Sequence, residues 1–585
     1  MGSAKQINNS NYKKEEFLSR LPLIIFVVLV AWFIISFLII PNINILRETF
    51  MRDGVFSLRS IDKILKSERS IKAIKNSVIL AITLSITVNI VGIFIVLVTE
   101  YFDIKGSKIL RVAYMSTLVF GGMILNNGYL YAYGNKGVLT KLLLNFFPNL
   151  DPYWFNGYFA VVFVMTFACT SNYMLFFRNA INGIDYGTVE AAQNMGADQW
   201  SILKKVVLPT VKPMIITLII MNFQTGLGAM SAPLMVGGQD FQTISPLILT
   251  FANRPSSRDI AALLSLLLGF SQLILLYVMT SNEKKGNFLS ISKTKVRIKK
   301  QKINNKFANI VVHILSYILF VIYSLPVILV IIFSFQSGRN IESSIVTMDG
   351  FTLENYIRIL TDQKSYGPFA NSFIYSFLSA GAVVIIMLVV VRIIMKYKNK
   401  LTEVMEYLFF IPWLLPSLMI ALGLIVTYDR PRVWMFNMVL VGNQWIVPLA
   451  YFIVMIPSTL RYLKAAYYSF DQNLEDASRI LGARGFITMF KVILPALLPT
   501  ALALFALNFN GKLSDYDLSA FLYHPTSPTL GIVIRSNADA TASVDARAIN
   551  LVYSVILMAI STIVLYFVYG RGTSTAEAKG GITAK

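Results

Sequence analysis

Glu190-Ala-Ala-Gln-Asn-Met-Gly196-Ala-Asp-Gln-Trp-Ser-Ile-Leu-Lys-Lys-Val-Val-Leu208-Pro209 and Asp476-Ala-Ser-Arg-Ile-Leu-Gly482-Ala-Arg-Gly-Phe-Ile-Thr-Met-Phe-Lys-Val-Ile-Leu494-Pro495 decide how this chain is read. In both, the acid stands six positions before the glycine and the proline thirteen positions after it. The spacing predicts a short helix, a turn and a second short helix. The acid falls in the first turn, where a negative charge suits the helix N-terminus. Asn473 is the expected N-cap of the second copy, and Gly187 holds the same place in the first. Gly196 and Gly482 can adopt the left-handed backbone that ends one helix and starts the next. Trp200, Leu203 and Val207 recur at helical spacing, as do Phe486, Met489 and Ile493. Pro209 and Pro495 are expected to end the second helix before the next apolar stretch begins. The product would be a compact element with an exposed apolar stripe, joined to a membrane helix and shaped to enter a partner's groove.

Working outward, the rest of the chain is duplicated as well. Phe56-Ser-Leu-Arg-Ser-Ile-Asp-Lys-Ile-Leu65 matches Phe351-Thr-Leu-Glu-Asn-Tyr-Ile-Arg-Ile-Leu360, and Asn76-Ser77 matches Asn371-Ser372, both at an offset of 295 residues. Gly196-Ala197 matches Gly482-Ala483, Leu208-Pro209 matches Leu494-Pro495, and Asn222-Phe223 matches Asn508-Phe509, all at an offset of 286. Two constant offsets identify an internal repeat.

The solvent of this repeat is lipid. Of the 585 residues, 56% are hydrophobic and 14% charged, and the mean hydropathy is +0.63. Apolar runs long enough to cross a hydrocarbon core of about 30 Å recur throughout. Twelve spans are expected, near residues 21–40, 77–98, 112–130, 158–177, 213–234 and 260–280 in the first half, and 310–335, 372–391, 407–427, 444–460, 496–511 and 550–569 in the second. The run 21–40 follows Lys13, Lys14 and Arg20 but is too long for a signal peptide and lacks a small-residue cleavage pattern, so it is expected to stay as an anchor. The fold expected is an all-α membrane protein whose two homologous six-helix halves, 1–281 and 310–585, run in parallel orientation around an axis along the membrane normal. Residues 282–309 would be a basic cytoplasmic linker.

Charge agrees with this topology. With both termini inside, most of the 52 Lys and Arg fall on the cytoplasmic side, as orientation requires. The balance of +22 suits anionic membrane lipid and needs no nucleic acid. The external stretch 47–75 dissents, with eight Lys and Arg between the first two spans. One cysteine, Cys169, excludes a disulfide framework. His313 and His524 are too few for a metal centre, and no metal site is expected.

The twin loops, 187–209 and 473–495, resemble the EAA loop of binding-protein-dependent ABC importers: an acid, two small residues, three free positions, Gly, nine free positions, an aliphatic residue, any residue, Leu and Pro. The second copy departs by Asp for Glu and Ser for the second Ala. The resemblance implies a type I (MetI-like) importer fold in the bacterial plasma membrane. Each loop would be a coupling helix that docks on one ATPase subunit through Glu190, Ala191, Ala192 and Gly196, and through Asp476, Ala477, Ser478 and Gly482. No GxxxxGK[ST] phosphate loop occurs in this chain. It is therefore not expected to be an enzyme or to hold a cofactor itself. Two copies of a separate ATPase would bind ATP and Mg, and an extracytoplasmic solute-binding protein would deliver the solute.

Fusion of both halves resembles the ferric-iron and thiamine permeases of this superfamily. Ser231-Ala-Pro-Leu-Met-Val-Gly-Gly238 with Thr243-Ile-Ser-Pro246, and Leu518-Ser-Ala-Phe-Leu-Tyr-His-Pro525 with Thr529-Leu-Gly-Ile-Val-Ile-Arg535, look like segments of that branch. Ferric iron is the leading solute; thiamine, a polyamine or a phosphonate are the alternatives. The stretch Asn508-Phe-Asn-Gly-Lys-Leu-Ser-Asp-Tyr-Asp517 continues the eleventh span with three charges, and ionisable groups at membrane depth tend to mark a solute path. Asn222, Gln224, Ser231, Asn508, Asn510, Asp515 and Asp517 are expected to line that path or its gate. The competing reading is that Lys512 pairs with an acid and only holds its helix. A secondary transporter with six plus six spans is the rival from another class, and it predicts no duplicated EAA loop.

Overall fold

The computed structural model describes Leu21 and residues 24–570, without 53, 121, 286–298, 472, 484 and 540. Much of the basic linker and the first Lys and Arg residues lie outside the described residues. Among the described residues, ten helices are long and apolar enough to cross a membrane: Ile24–Phe50, Glu68–Tyr101, Gly157–Asn182, Gln199–Leu227, Pro255–Asn282, Lys306–Ser334, Gln363–Tyr397, Ile446–Tyr468, Met489–Leu513 and Val544–Val568. The two remaining spans are broken pairs, Ser107–Val119 with Gly122–Phe146, bent by 117°, and Lys400–Leu414 with Ser417–Tyr428, bent by 104°. Twelve crossings result when each pair counts as one.

The breaks correct the expectation of continuous third and ninth spans, and their cause is local. Pro416 cannot donate a helical hydrogen bond, and its ring forces the residue before it out of the helical region. Leu415 is accordingly extended at φ −114°, ψ 140°, and the helix restarts at Ser417. Phe120 is extended at the same repeat position, at φ −100°, ψ 122°.

A second correction concerns Pro209 and Pro495, which do not end their helices. A π-turn, Leu203–Val207, precedes Leu208–Leu227, with the Leu208 N–H donating to the Leu203 carbonyl. Met489–Ile493 precedes Leu494–Leu513 in the same way, with Leu494 donating to Met489. The wider turn takes up the strain of a proline ring and its missing donor. Each second short helix therefore runs straight into the membrane as part of the fifth or eleventh span.

Repeat-related residues make repeat-related bonds. The Ser77 hydroxyl accepts the Ile244 N–H at 2.8 Å, and Ser372 accepts Leu530 N–H at 2.7 Å. Asn76 donates to the Gln242 carbonyl at 3.0 Å, and Asn371 to that of Pro528 at 3.2 Å. Each Asn-Ser pair thus fastens the backbone leading into a short helix, Ile244–Ala252 or Leu530–Asn537. The basic stretch 47–75 gains an account from the same comparison. Lys63 pairs with Asp259 at 2.5 Å, and its counterpart Arg358 with Asp545 at 2.7 Å. Both pin an amphipathic helix, Arg59–Lys66 or Glu354–Thr361, to the start of the sixth or twelfth span.

The halves interlock. One hydrophobic core joins the second to fifth spans of the first half with Val312, Tyr323 and Phe333 of the seventh span and Tyr553 and Leu557 of the twelfth. The other joins the eighth to eleventh spans with Ile34, Phe37 and Ile45 of the first and Ala261 and Leu264 of the sixth. Gly423 and Gly128 make this approach possible. A Cβ on Gly423 would lie 3.1 Å from Pro41, and one on Gly128 would lie 3.3 Å from Pro326. Each glycine receives the first helix of the opposite half.

Candidate functional site: two coupling elements and a cavity between the halves

The first coupling element is Tyr186–Asn194, followed by a turn at Gly196 and the helix from Gln199. Gly196 has φ +81° and Gly482 φ +78°, the left-handed region where a side chain would be strained. The Ala197 N–H reaches back to the Ala192 carbonyl and Ala483 N–H to that of Ser478, both at 3.0 Å. This six-to-one bond is the helix ending the glycines were expected to allow. The N-terminal caps differ from expectation. Asp185 accepts the Gly187 N–H, and the repeat-related Asp471 accepts the Asn473 N–H, both at 3.0 Å. Gly187 and Asn473 are therefore donors, because a carboxylate two residues earlier reaches them first. Asp198 caps the next helix by accepting the Trp200 N–H at 3.2 Å, and a hydrogen bond from the Ser201 hydroxyl holds its carboxyl below the usual range.

Glu190, Ala191, Gly196, Asp476, Ala477 and Gly482 are exposed on these elements, and Ala192 is half-buried. Ser478 is buried and shares a hydrogen bond of 2.8 Å with Thr488. It locks the two short helices together and offers no surface to a partner, which corrects its expected role. The apolar stripe also turns inward. Leu203, Val207 and Ile493 are buried, and Trp200 packs on Phe102 at 5.5 Å between ring centroids. The Phe486 side chain lies outside the described residues. The most exposed apolar groups are instead Met195, 87% exposed, and its counterpart Leu481 with the adjacent Ile480, each 86% exposed. The signal that could have found them is their place immediately before the glycine, where a helix end must project.

Each element is held to the membrane body differently. In the second half, Arg392 of the eighth span grips Glu475 through two hydrogen bonds of 2.5 Å, and Tyr467 donates to the same carboxylate at 3.3 Å. Both Arg392 and Glu475 are largely buried. The repeat-related position in the first half is Val189, buried and apolar. There the ion pairing has moved to Glu100, which meets Arg111 and Arg178 at 2.9 Å each. The described end of the linker lies against the first element. The Gln301 N–H donates to the Tyr101 carbonyl at 2.8 Å, and the Gln193 amide donates to the Gln301 side chain at 2.6 Å. Six crossings separate the two elements in sequence, so both lie on one face of the membrane.

At mid-span, a cavity of about 360 Å³ opens between the halves. Gln224, Gly228 and Gln272 of the first half face Pro416, Ser458 and Asp517 of the second. Of the expected path residues, Gln224 and Asp517 line it. Asp517 is its only charged lining residue and, among the described residues, has no hydrogen-bond or ion-pair partner. Asp515 does not join it. That carboxylate accepts from Lys512 at 3.0 Å and from the Leu518 and Ser519 N–H groups at 3.1 and 3.3 Å, so it fixes the turn, as the competing reading held. Asn222 donates to the Tyr173 hydroxyl at 3.4 Å and Asn508 to that of Thr459 at 2.9 Å, repeat-related clamps between the fourth and fifth spans of each half. Asn510 accepts from Ser561 at 2.7 Å. Ser231 opens the short helix Ser231–Val236. Their polar atoms are engaged within the protein or stand outside the cavity. Gln272 and Ser458 were not singled out by sequence, where one amide or hydroxyl in an apolar span carries little signal.

His313 Nδ1 lies 2.8 Å from the Asn309 carbonyl and His524 Nδ1 2.7 Å from the Thr526 hydroxyl, so each histidine is engaged locally. No group of three or more metal-ligating side chains occurs among the described residues.

Residues 130–282 and 389–572 match the family described as binding-protein-dependent transport system inner membrane component. The probable ABC transporter permease protein y4fN of Sinorhizobium fredii is 36% identical over 92% of this chain and 94% of its own. A putative ferric transport system permease protein, FbpB 1 of Haemophilus influenzae, is 21% identical over 85% of this chain and 77% of its own. A putative 2-aminoethylphosphonate transport system permease protein, PhnV of Salmonella typhi, is 22% identical over 41% of this chain and 88% of its own.

Proposed function

The chain belongs to the family of binding-protein-dependent transport system inner membrane components, and from that premise we propose that it supplies both halves of the channel of an ATP-driven importer. It is a multi-pass membrane permease of the ABC transporter kind. In the proposed reading both termini and both coupling elements face the cytoplasm. One ATPase subunit docks on each element, and a solute-binding protein docks on the opposite face. The observation that carries the reading is the unbroken helix joining each coupling element to a membrane span that flanks the cavity: Gln199–Leu227 supplies Gln224, and Asp517 follows Met489–Leu513. When the ATPase subunits bind ATP and Mg and close, the two rods move with them. The cavity between the halves then changes its access from one face to the other, as alternating access requires.

Ferric iron is the first solute to test, supported by the likeness of 85% of the chain to a putative ferric transport system permease and by the lone carboxylate in the cavity. Thiamine, polyamines and phosphonates come next. Asp517→Asn is expected to lower uptake of radioactive ferric iron at least about tenfold, which corresponds to about 1.4 kcal/mol. ATP hydrolysis by the assembled complex should persist, because the coupling elements are untouched. Uptake at the unmodified level would end the reading of Asp517 as a cation site. The permease reading would stand or fall separately, on whether an ATPase co-purifies with the chain.

A further inference from the structure

On the face away from the coupling elements, a second cavity of about 310 Å³ lies between the halves. Asn127, Tyr131 and Lys136 of the first half face Arg535, Arg547 and Asn550 of the second. Three cationic side chains line it against one acid, Asp539. That acid is already engaged: the Thr541 N–H and hydroxyl donate to it at 3.0 and 2.7 Å and hold its carboxyl below the usual range. Arg535 stands 3.9 Å from it and donates to the Leu234 carbonyl at 3.1 Å.

Three of the lining groups lack partners among the described residues. The Arg547 guanidinium has no hydrogen-bond or ion-pair partner among the described residues, and its Nε is buried. The Tyr131 hydroxyl and the Asn550 carbonyl oxygen are buried without partners as well. Leaving such groups buried and unpaired is costly. The fold does not require them. At the repeat-related positions stand Ala261 for Arg547, Leu264 for Asn550, Leu422 for Asn127 and Val426 for Tyr131. The repeat-related place is packed with these apolar side chains, three of them fully buried. A polar set found at one of two repeat-related places, facing a cavity with the Arg547 and Tyr131 donors short of acceptors, is built for a ligand that brings them.

We infer that this outer cavity binds an anionic oxygen group of the phosphate or carboxylate class, on the solute's way to the cavity at mid-span. Arginine forks suit such groups, since their N–H donors match two oxygens at once. The volume suits a small solute or one end of a larger one. A bare metal cation would be repelled by Arg535 and Arg547, so ferric iron would come this way only within a shell of anionic ligands. The place on the solute's route rests on the permease reading; the anion preference does not.

The test uses the purified full chain, delipidated in maltoside detergent, with equilibrium dialysis of radioactive inorganic phosphate and of citrate. Saturable binding of at least one probe is expected, weakening as salt is raised. Arg547→Gln should weaken it at least tenfold, and Tyr131→Phe, which removes one oxygen and keeps the ring against Phe333, several-fold. Asp517→Asn should leave it unchanged. Absence of saturable binding of both probes at millimolar concentration, or binding at the unmodified level by both Arg547→Gln and Tyr131→Phe, would overturn the inference. Displacement of bound phosphate by stoichiometric phosphatidylglycerol would make a lipid headgroup the occupant and overturn its place on the solute route. No ATPase enters this assay, so its failure is distinguishable from failure of the permease reading, which is read from co-purification of an ATPase.

Discussion

Replacing Met195 and Leu481 together by Asp is expected to abolish ATPase capture and solute-dependent ATP hydrolysis while the permease itself stays folded. Both side chains project almost entirely into solvent, so removing them should move stability by less than about 0.5 kcal/mol. Once covered by a partner, each would contribute about 1.5–3 kcal/mol of apolar burial, and a charge in its place would add a desolvation cost. Losing both corresponds to a fall in affinity of at least about a hundredfold. Co-purification of the ATPase and hydrolysis in proteoliposomes would read the loss, and thermal unfolding in detergent would verify the fold. Hydrolysis at the unmodified rate, with the double variant present in the membrane, would remove these tips from the docking surface. The two single variants should each lose less, because one docked subunit remains.

Arg392→Met should be the most damaging single change to the fold. It leaves the buried Glu475 carboxylate without its guanidinium, and breaking a buried pair from one side costs about 3–5 kcal/mol. The damage should be localised. Asn473–Ile480 would detach from the eighth span and become open to proteolysis, while Tyr186–Asn194, anchored through the buried Val189, would stay protected. The paired variant Arg392→Met with Glu475→Val copies the apolar solution already used in the first half. It should recover most of the thermal stability. A paired variant no more stable than Arg392→Met alone would contradict the account, since the cost would then not arise from a stranded charge.

Much of this architecture was legible in sequence, because membrane spans and helix endings depend on local chemistry. The apolar runs marked all twelve crossings, and the constant offsets marked the repeat. Gly196 and Gly482 take the left-handed backbone that their spacing implied. The errors share a different character. Pro209 and Pro495 read as helix stops, since a sequence does not display the π-turn that lets a helix pass through them. Pro416, which does break a helix, was hidden in a run of apolar residues. Asp515 and Asp517 looked equivalent two positions apart, yet one fixes a turn and the other faces the cavity. The inward turn of Trp200, Leu203 and Val207 depends on surfaces from distant spans, which periodicity reports only as one face of a helix. Ser478 followed the same course: its small size fitted a contact motif, and its hydroxyl is occupied by Thr488.

The seating of Pro41 against Gly423 has a consequence for how the protein is made. The first helix leaves the ribosome long before its resting place exists. At synthesis rates of about 5–20 residues per second, roughly 20 to 80 s pass before Gly423 follows Pro41 out. Through that interval the face of this helix that Gly423 later receives can be covered only by lipid or by the insertion machinery. Final closure of the molecule is therefore an event of late biogenesis, in which a helix made early waits for a partner made late.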